Sequence, residues 1–271
     1  MSFIIPTREG VVQRRRRLLV YGPPNSGKTG SLLRTPGNRV ILSFPGEKGY
    51  DTIPVDDPET RSFIWEIPDV GKPPDSDQVV ADVERKTAEV IAGGEFTTFC
   101  GDGIHKLHTY ILDAASGGAY FEGEDFDPKV YGAANRRLLN YLSLVCHSRM
   151  PVVIFTCWDG QEPDRKKQLG EKASDVPTHL YPELPGKAAK LIVGEFSMVL
   201  HSSFRRAKPG DQTTTAMWQT RPAGEVAGAA IKGPQAIVSR IPTFIPADYN
   251  YLSQMWEWLE TNPPTKSAGG E

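Results

Sequence analysis

With 271 residues, 24% charged and 39% hydrophobic, the chain has the make-up of a globular protein holding one large α/β domain or two small ones. A net charge of −2 excludes a molecule-wide basic field, so any nucleic-acid contact has to come from a local patch. Three cysteines in apolar surroundings (Cys100, Cys146, Cys157), with no C-x-x-C spacing, argue against a disulfide framework or a zinc site and for a reducing compartment. No apolar run approaches membrane-spanning length and the N-terminus has no signal-peptide core, so a cytoplasmic location without membrane contact is expected.

Residues 1–17 read as a basic leader ending in Arg14-Arg15-Arg16-Arg17, either a phosphate or partner contact or a solvated run. Leu18-Leu19-Val20-Tyr21 is a short apolar run suited to a buried parallel strand. Directly after it, Gly22-Pro23-Pro24-Asn25-Ser26-Gly27-Lys28-Thr29 fits G-x-x-x-x-G-K-[ST] at each fixed position. Gly22 and Gly27 let backbone N–H groups close around phosphate oxygens; Lys28 sets a compact charge against the β- and γ-phosphates; Thr29 offers a hydroxyl to Mg²⁺. Gly30 continues into a helix whose dipole favours the anion, and Thr35-Pro36-Gly37 ends it. Residues 22–30 are therefore the expected nucleotide cradle, with ATP and Mg²⁺ as ligands.

Arg39 to Phe44 reads as a second buried strand running into Pro45-Gly46-Glu47. A carboxylate leaving a strand next to the P-loop strand is placed to orient a water at the γ-phosphate, which makes Glu47 the candidate base; a loop surface charge is the plain alternative. Residues 62–67 form a further strand, and Gln78 to Ala92 carries apolar residues at helical spacing. Phe96 to Cys100 is the next strand, followed by Gly101-Asp102-Gly103: a Walker B arrangement in which Asp102 holds the Mg²⁺ shell through water or through the Thr29 hydroxyl. His105 and His108 on the following helix allow a metal reading, with surface or capping roles preferred.

Ser116 to Lys129 is Gly-rich and acidic and reads as an exposed loop; Gly132 to Arg149 is an amphipathic helix. Met150 to Cys157 is a buried strand, with Thr156 near its end as a candidate γ-phosphate sensor. Asp159 to His179 reads as a long polar loop carrying Arg165, Lys166, Lys167 and Lys172. A helix over 187–193 follows, then strands over 196–204 and 213–220 joined by a Lys208-Pro209-Gly210-Asp211 turn, with Arg221, Lys232 and Arg240 beyond. Tyr249 to Glu260 is an amphipathic helix, and residues 261–271 read as a flexible tail after an ATPase domain over 18–260. The expected fold is a doubly wound, mostly parallel α/β sheet of RecA-like P-loop type with a C-terminal antiparallel hairpin. No Asn-Lys-x-Asp guanine reader is suitably placed, which favours ATP over GTP.

Several of these segments resemble the phage-type RecA-like ATPases of the AAA_24 group, which includes the Sak4-like single-strand annealing recombinases: residues 19–29, Gly46-Glu47-Lys48-Gly49, residues 101–107, Tyr181 to Lys187, and Trp218-Gln219-Thr220-Arg221-Pro222. The resemblance implies an ATPase of a phage or prophage DNA-metabolism module, a homo-oligomer with ATP between subunits, and a cation from the neighbour completing the site, for which Arg221, Lys232 and Lys187 are candidates. It also implies single-stranded DNA on the 159–179 loop and a phage or host single-strand-binding protein as partner. The alternative is an ATPase acting on a protein assembly, in packaging or remodelling, without DNA binding; a phosphotransferase or simple nucleotide-binding module is disfavoured by a water-orienting Glu47.

Overall fold

Arg16-Arg17-Leu18-Leu19-Val20-Tyr21-Gly22 has no solvent-facing alternation, and in the computed structural model it is a strand in the middle of the sheet, β1 (Arg16–Gly22), buried on both faces. The structure describes residues 16–35, 37–44, 62–66, 75–161, 180–184, 188–206, 214–223, 226, 228–233 and 235–262. Within them the chain runs β1, α1 (Lys28–Leu32), β2 (Arg39–Ser43), β3 (Ser62–Glu66), α2 (Ser76–Gly93), β4 (Thr98–Asp102), α3 (Ile104–Ser116), α4 (Ala119–Glu122), α5 (Lys129–Cys146) and β5 (Val152–Gln161). It continues through β6 (Leu180–Pro182), α6 (Ala188–Ile192) with a 3₁₀ turn over Val193–Glu195, β7 (Met198–Arg206), β8 (Thr214–Gln219), β9 (Ala230–Ile231), α7 (Gln235–Val238), β10 (Phe244–Pro246) and α8 (Tyr249–Thr261).

The sheet order is β10-β8-β7-β1-β5-β4-β2-β3, with β6 on β5 and β9 on β7. Every neighbouring pair from β7 to β3 is parallel, and β7–β8 and β8–β10 are antiparallel, as expected of a doubly wound sheet with a late hairpin. Alternate residues of each inner strand feed opposite cores. Leu19, Tyr21, Val40, Phe99, Phe155 and Val199 pack with α2, α3, α5 and α6. Leu18, Val20, Ile41, Cys100, Ile154 and Leu200 pack with Leu32 of α1 and with Leu252, Trp256 and Leu259 of α8. The helix ends follow local chemistry: Asp75 caps α2 through Asp77 and Gln78 N–H, Gly94 closes it at φ 67°, and Asp248 caps α8 through Asn250 and Tyr251 N–H.

The structure moves several expected boundaries. β1 begins at Arg16, so the last two arginines of the expected leader belong to the sheet. Arg17 is buried, its guanidinium donating to the carbonyls of Cys146 (2.5 Å), Ser148 (3.1 Å) and Met150 (2.9 Å) where α5 ends; it is a helix cap, not a solvated charge. The expected loop over 116–129 contains α4, because Tyr120, Phe121 and Phe126 form an aromatic cluster that gives the segment something to bury. The expected 159–179 loop starts later: β5 runs on through Gln161 because β6 pairs with Asp159, Gly160 and Gln161 and satisfies its backbone. Residues 162–179, with Arg165, Lys166, Lys167 and Lys172, lie outside the described residues, as do the 208–211 turn and the 263–271 tail. No described helix is long and apolar enough to cross a membrane.

Candidate functional site

Strand alternation builds one face of the site. Asp102 follows Cys100 by two residues and Thr156 follows Ile154 by two, so both point to the α1 side of the sheet at its carboxyl edge. There Thr29 Oγ1 donates to Asp102 Oδ2 at 3.0 Å, and Thr156 Oγ1 donates to Asp102 Oδ1 at 2.6 Å. Gly103 N–H in turn donates to Thr156 Oγ1 at 2.9 Å. Both oxygens of a buried carboxylate are thus held, one by the P-loop threonine and one by the strand between. Gly101 is required by packing alone, since a Cβ there would sit 2.3 Å from the Phe155 ring.

The P-loop itself runs from β1 into α1 with Asn25 at φ 62° and Gly27 at φ 85°. Asn tolerates the left-handed region and Gly is at home in it. Lys28 Nζ donates to the Gly22 carbonyl (2.8 Å) and the Pro23 carbonyl (2.7 Å), folding over the loop it belongs to. Ser26 Oγ is buried without a hydrogen-bond partner among the described residues. A loop with an orphaned hydroxyl, an ammonium, a hydroxyl at Thr29 and a carboxylate opposite fits a nucleotide triphosphate and its divalent ion. α1 is pinned from behind: Arg39, fully buried, donates to the carbonyls of Leu32 and Leu33, and Thr35 Oγ1 donates to Leu32 O at 2.7 Å. Cys100 lies beside them, its thiol pushed up to about 12 by burial, so it is inert filler.

A second wall comes from the late hairpin. Ser202 Oγ donates to Ser26 O at 2.7 Å, a Cβ on Gly22 would lie 2.2 Å from Ser202 O, and a Cβ on Gly27 would lie 3.1 Å from Ala216 Cβ. The sequence gives no sign of Ser202, Ala216 or Arg39 as site residues; the one available hint is the expectation of a hairpin in that region.

The remaining candidates separate. Thr156, expected as a phosphate sensor, has its hydroxyl engaged with Asp102, so it positions that carboxylate. β2 is not next to β1: β5 and β4 intervene, because sequence periodicity fixes strands but not their order. Ser43 of β2 is in register with Asp102; Glu47 and Lys187 lie outside the described residues. Arg221 donates to Ile241 O and Lys232 to Gly194 O (2.5 Å), both on chain running back from the P-loop edge: Gln219 pairs with His201 and Lys232 N–H donates to Ser197 O. His105 and His108 are buried, correcting the surface role. His105 stacks on Trp158 at 4.7 Å, and His108 Nε2 meets Asn135 Oδ1 at 2.9 Å with its pKa lowered by burial. No group of His, Cys, Asp or Glu among the described residues could hold a metal ion by itself. Lys106 Nζ stands 5.1 Å over the Trp158 ring, so an aromatic and a cation share the carboxyl edge of β5.

A search of curated proteins finds no match to this chain. A family model described as an AAA domain, AAA_24, matches residues 14–228, from just before β1 to beyond β8 and so across both walls of the P-loop. The chain belongs to the AAA_24 family of P-loop ATPase domains.

Proposed function

We propose that the protein binds ATP with Mg²⁺ and hydrolyses it, as an oligomeric ATPase of DNA metabolism that holds single-stranded DNA. The observation that carries the ATPase part is the chain Thr29–Asp102–Thr156 at the mouth of the P-loop, with Lys28 at 2.8 Å from Gly22 O ready to exchange a carbonyl for a phosphate oxygen. Thr29 and Asp102 would hold the Mg²⁺, which neutralises charge on the β- and γ-phosphates when bound. Lys28 binds phosphate oxygens, Thr156 fixes the carboxylate rotamer, and Glu47 takes the role of orienting the attacking water.

The DNA part rests on the resemblance in residues 18–222 and on the Trp158–Lys106 pair, the aromatic-plus-cation chemistry that single strands use. In the oligomer, ATP lies between subunits and a cation from the neighbour reaches it. Arg221, Lys232 and Lys187 are the candidates for this cation, and in the single chain Arg221 and Lys232 donate to carbonyls of that chain. A phage module with a single-strand-binding partner is the setting this implies.

The test is ATP turnover with and without single-stranded oligonucleotide, with Lys28→Ala and Glu47→Gln as controls. Stimulation by DNA that both substitutions abolish supports the whole reading. Turnover indifferent to DNA moves the function to a protein assembly, and ATP bound without any turnover sinks the hydrolase.

A further inference from the structure

We infer that Phe204 is the platform on which the base of the bound nucleotide stacks. The inference rests on the ATP-binding reading above and adds a subsite to it. β7 is buried from Met198 to Ser202 and then surfaces, leaving Phe204 as a large apolar side chain at 51% exposure. Its direction follows from its neighbours. Leu200 packs with the α1-side core, Ser202 bonds the P-loop, and Phe204, two residues on, faces the same side. Its cross-strand partner is Ala216, which packs on that core and approaches Gly27 to 3.1 Å as measured from a Cβ placed there. Directly opposed residues have Cβ atoms about 5 Å apart, so the Phe204 ring starts one side chain away from the P-loop glycine.

The polar wall on the far side of the loop leaves the base one way to go. Asp102 and Thr156 suit the metal-bearing end of the triphosphate, and on the opposite side β7 and β8 touch the loop at Ser202 and Ala216. The base and ribose, at the other end of the ligand, therefore leave over β7 and β8. An exposed aromatic in that position loses water-facing area when a base covers it, and every base has a face to stack. Arg206 falls on the same side by alternation and is exposed, a cation at the rim. Arg205 points the other way, its guanidinium 3.3 Å from the centroid of the Phe244 ring.

The experiment is calorimetric titration of the full chain with Mg²⁺ and, in turn, ATP, GTP, inorganic tripolyphosphate and a single-stranded oligonucleotide, for the wild type, Phe204→Ala, Phe204→Tyr and Lys28→Ala. Expected is about a tenfold weakening of ATP and of GTP in Phe204→Ala, the scale of one stacking contact, with tripolyphosphate unchanged and Phe204→Tyr near wild type. Unchanged ATP affinity in Phe204→Ala overturns the subsite, and so does equal weakening of ATP and tripolyphosphate, which means a disturbed P-loop. Loss of oligonucleotide binding with ATP untouched also overturns it and assigns the ring to DNA. A wild type that binds neither ATP nor tripolyphosphate removes the nucleotide reading itself, and the subsite falls with it. If Lys28→Ala alone loses both ligands, the reading stands whatever Phe204 does.

Discussion

The two walls of the P-loop are built from different materials. On one side the Asp102 carboxylate accepts from Thr29 at 3.0 Å and from Thr156 at 2.6 Å, so each donor has an acceptor. On the other side Ser202 and Ala216 meet Gly22, Ser26 and Gly27 mainly through close approach of backbone and methyl groups. The first wall positions charge, where a misplaced atom costs rate. The second fixes the shape of the loop, where an added atom costs stability. Substitutions should therefore separate into losses of turnover on one side and losses of folding on the other.

The largest effect belongs to the polar wall. Asp102→Asn keeps the shape and removes the charge, and should lower ATP turnover by roughly a hundred- to a thousandfold with a near-native melting temperature, read by steady-state hydrolysis beside a thermal melt. Next comes Gly22→Ala on the packed wall. A Cβ 2.2 Å from Ser202 O forces the backbone apart, and a loss of about 3 kcal/mol in denaturant unfolding is expected. Thr156→Val should cost turnover about 10- to 100-fold, the range for a residue that orients a metal ligand, and Thr156→Ser should restore it; failure of serine to rescue would show that the methyl matters more than the hydroxyl. Smallest is Ser202→Ala. Removing its bond to Ser26 O should cost about 1 kcal/mol of stability and raise KM for ATP more than it lowers kcat. If Ser202→Ala instead lowered kcat alone, the contrast between the walls would fail.

Legibility follows the same division. The polar wall could be read because its residues sit in short patterns with fixed offsets: a glycine-framed loop after an apolar run, and an aspartate at a strand end. The packed wall could not, since Ser202 and Gly22 are 180 positions apart and nothing in either stretch announces the other. Strand order was hidden for the same reason. Apolar runs mark β2, β4 and β5, but only packing decides that β5 lies between β1 and β4 and so brings Thr156 to Asp102. The structural roles of Arg17 and Arg39 are not legible, because a buried arginine looks like a surface one until its carbonyl partners are known. Gly117, Gly118 and Gly123 made α4 look like loop, and the better guide there was the run of aromatics.

β1 is synthesised early and completed late. Its partners on either side are β5 and β7, so Leu18 waits for Ile154 and for Met198 before both of its edges are paired. A ribosome making this chain has to pass Thr156 before the nucleotide loop has its polar wall, and Ala216 before it has both. Until Met198 has been made, an apolar strand with at least one open edge is exposed to chaperones and to other nascent copies. Ligand binding on the ribosome should therefore switch on abruptly once β8 has been made, which makes nucleotide capture a readout of both walls being in place.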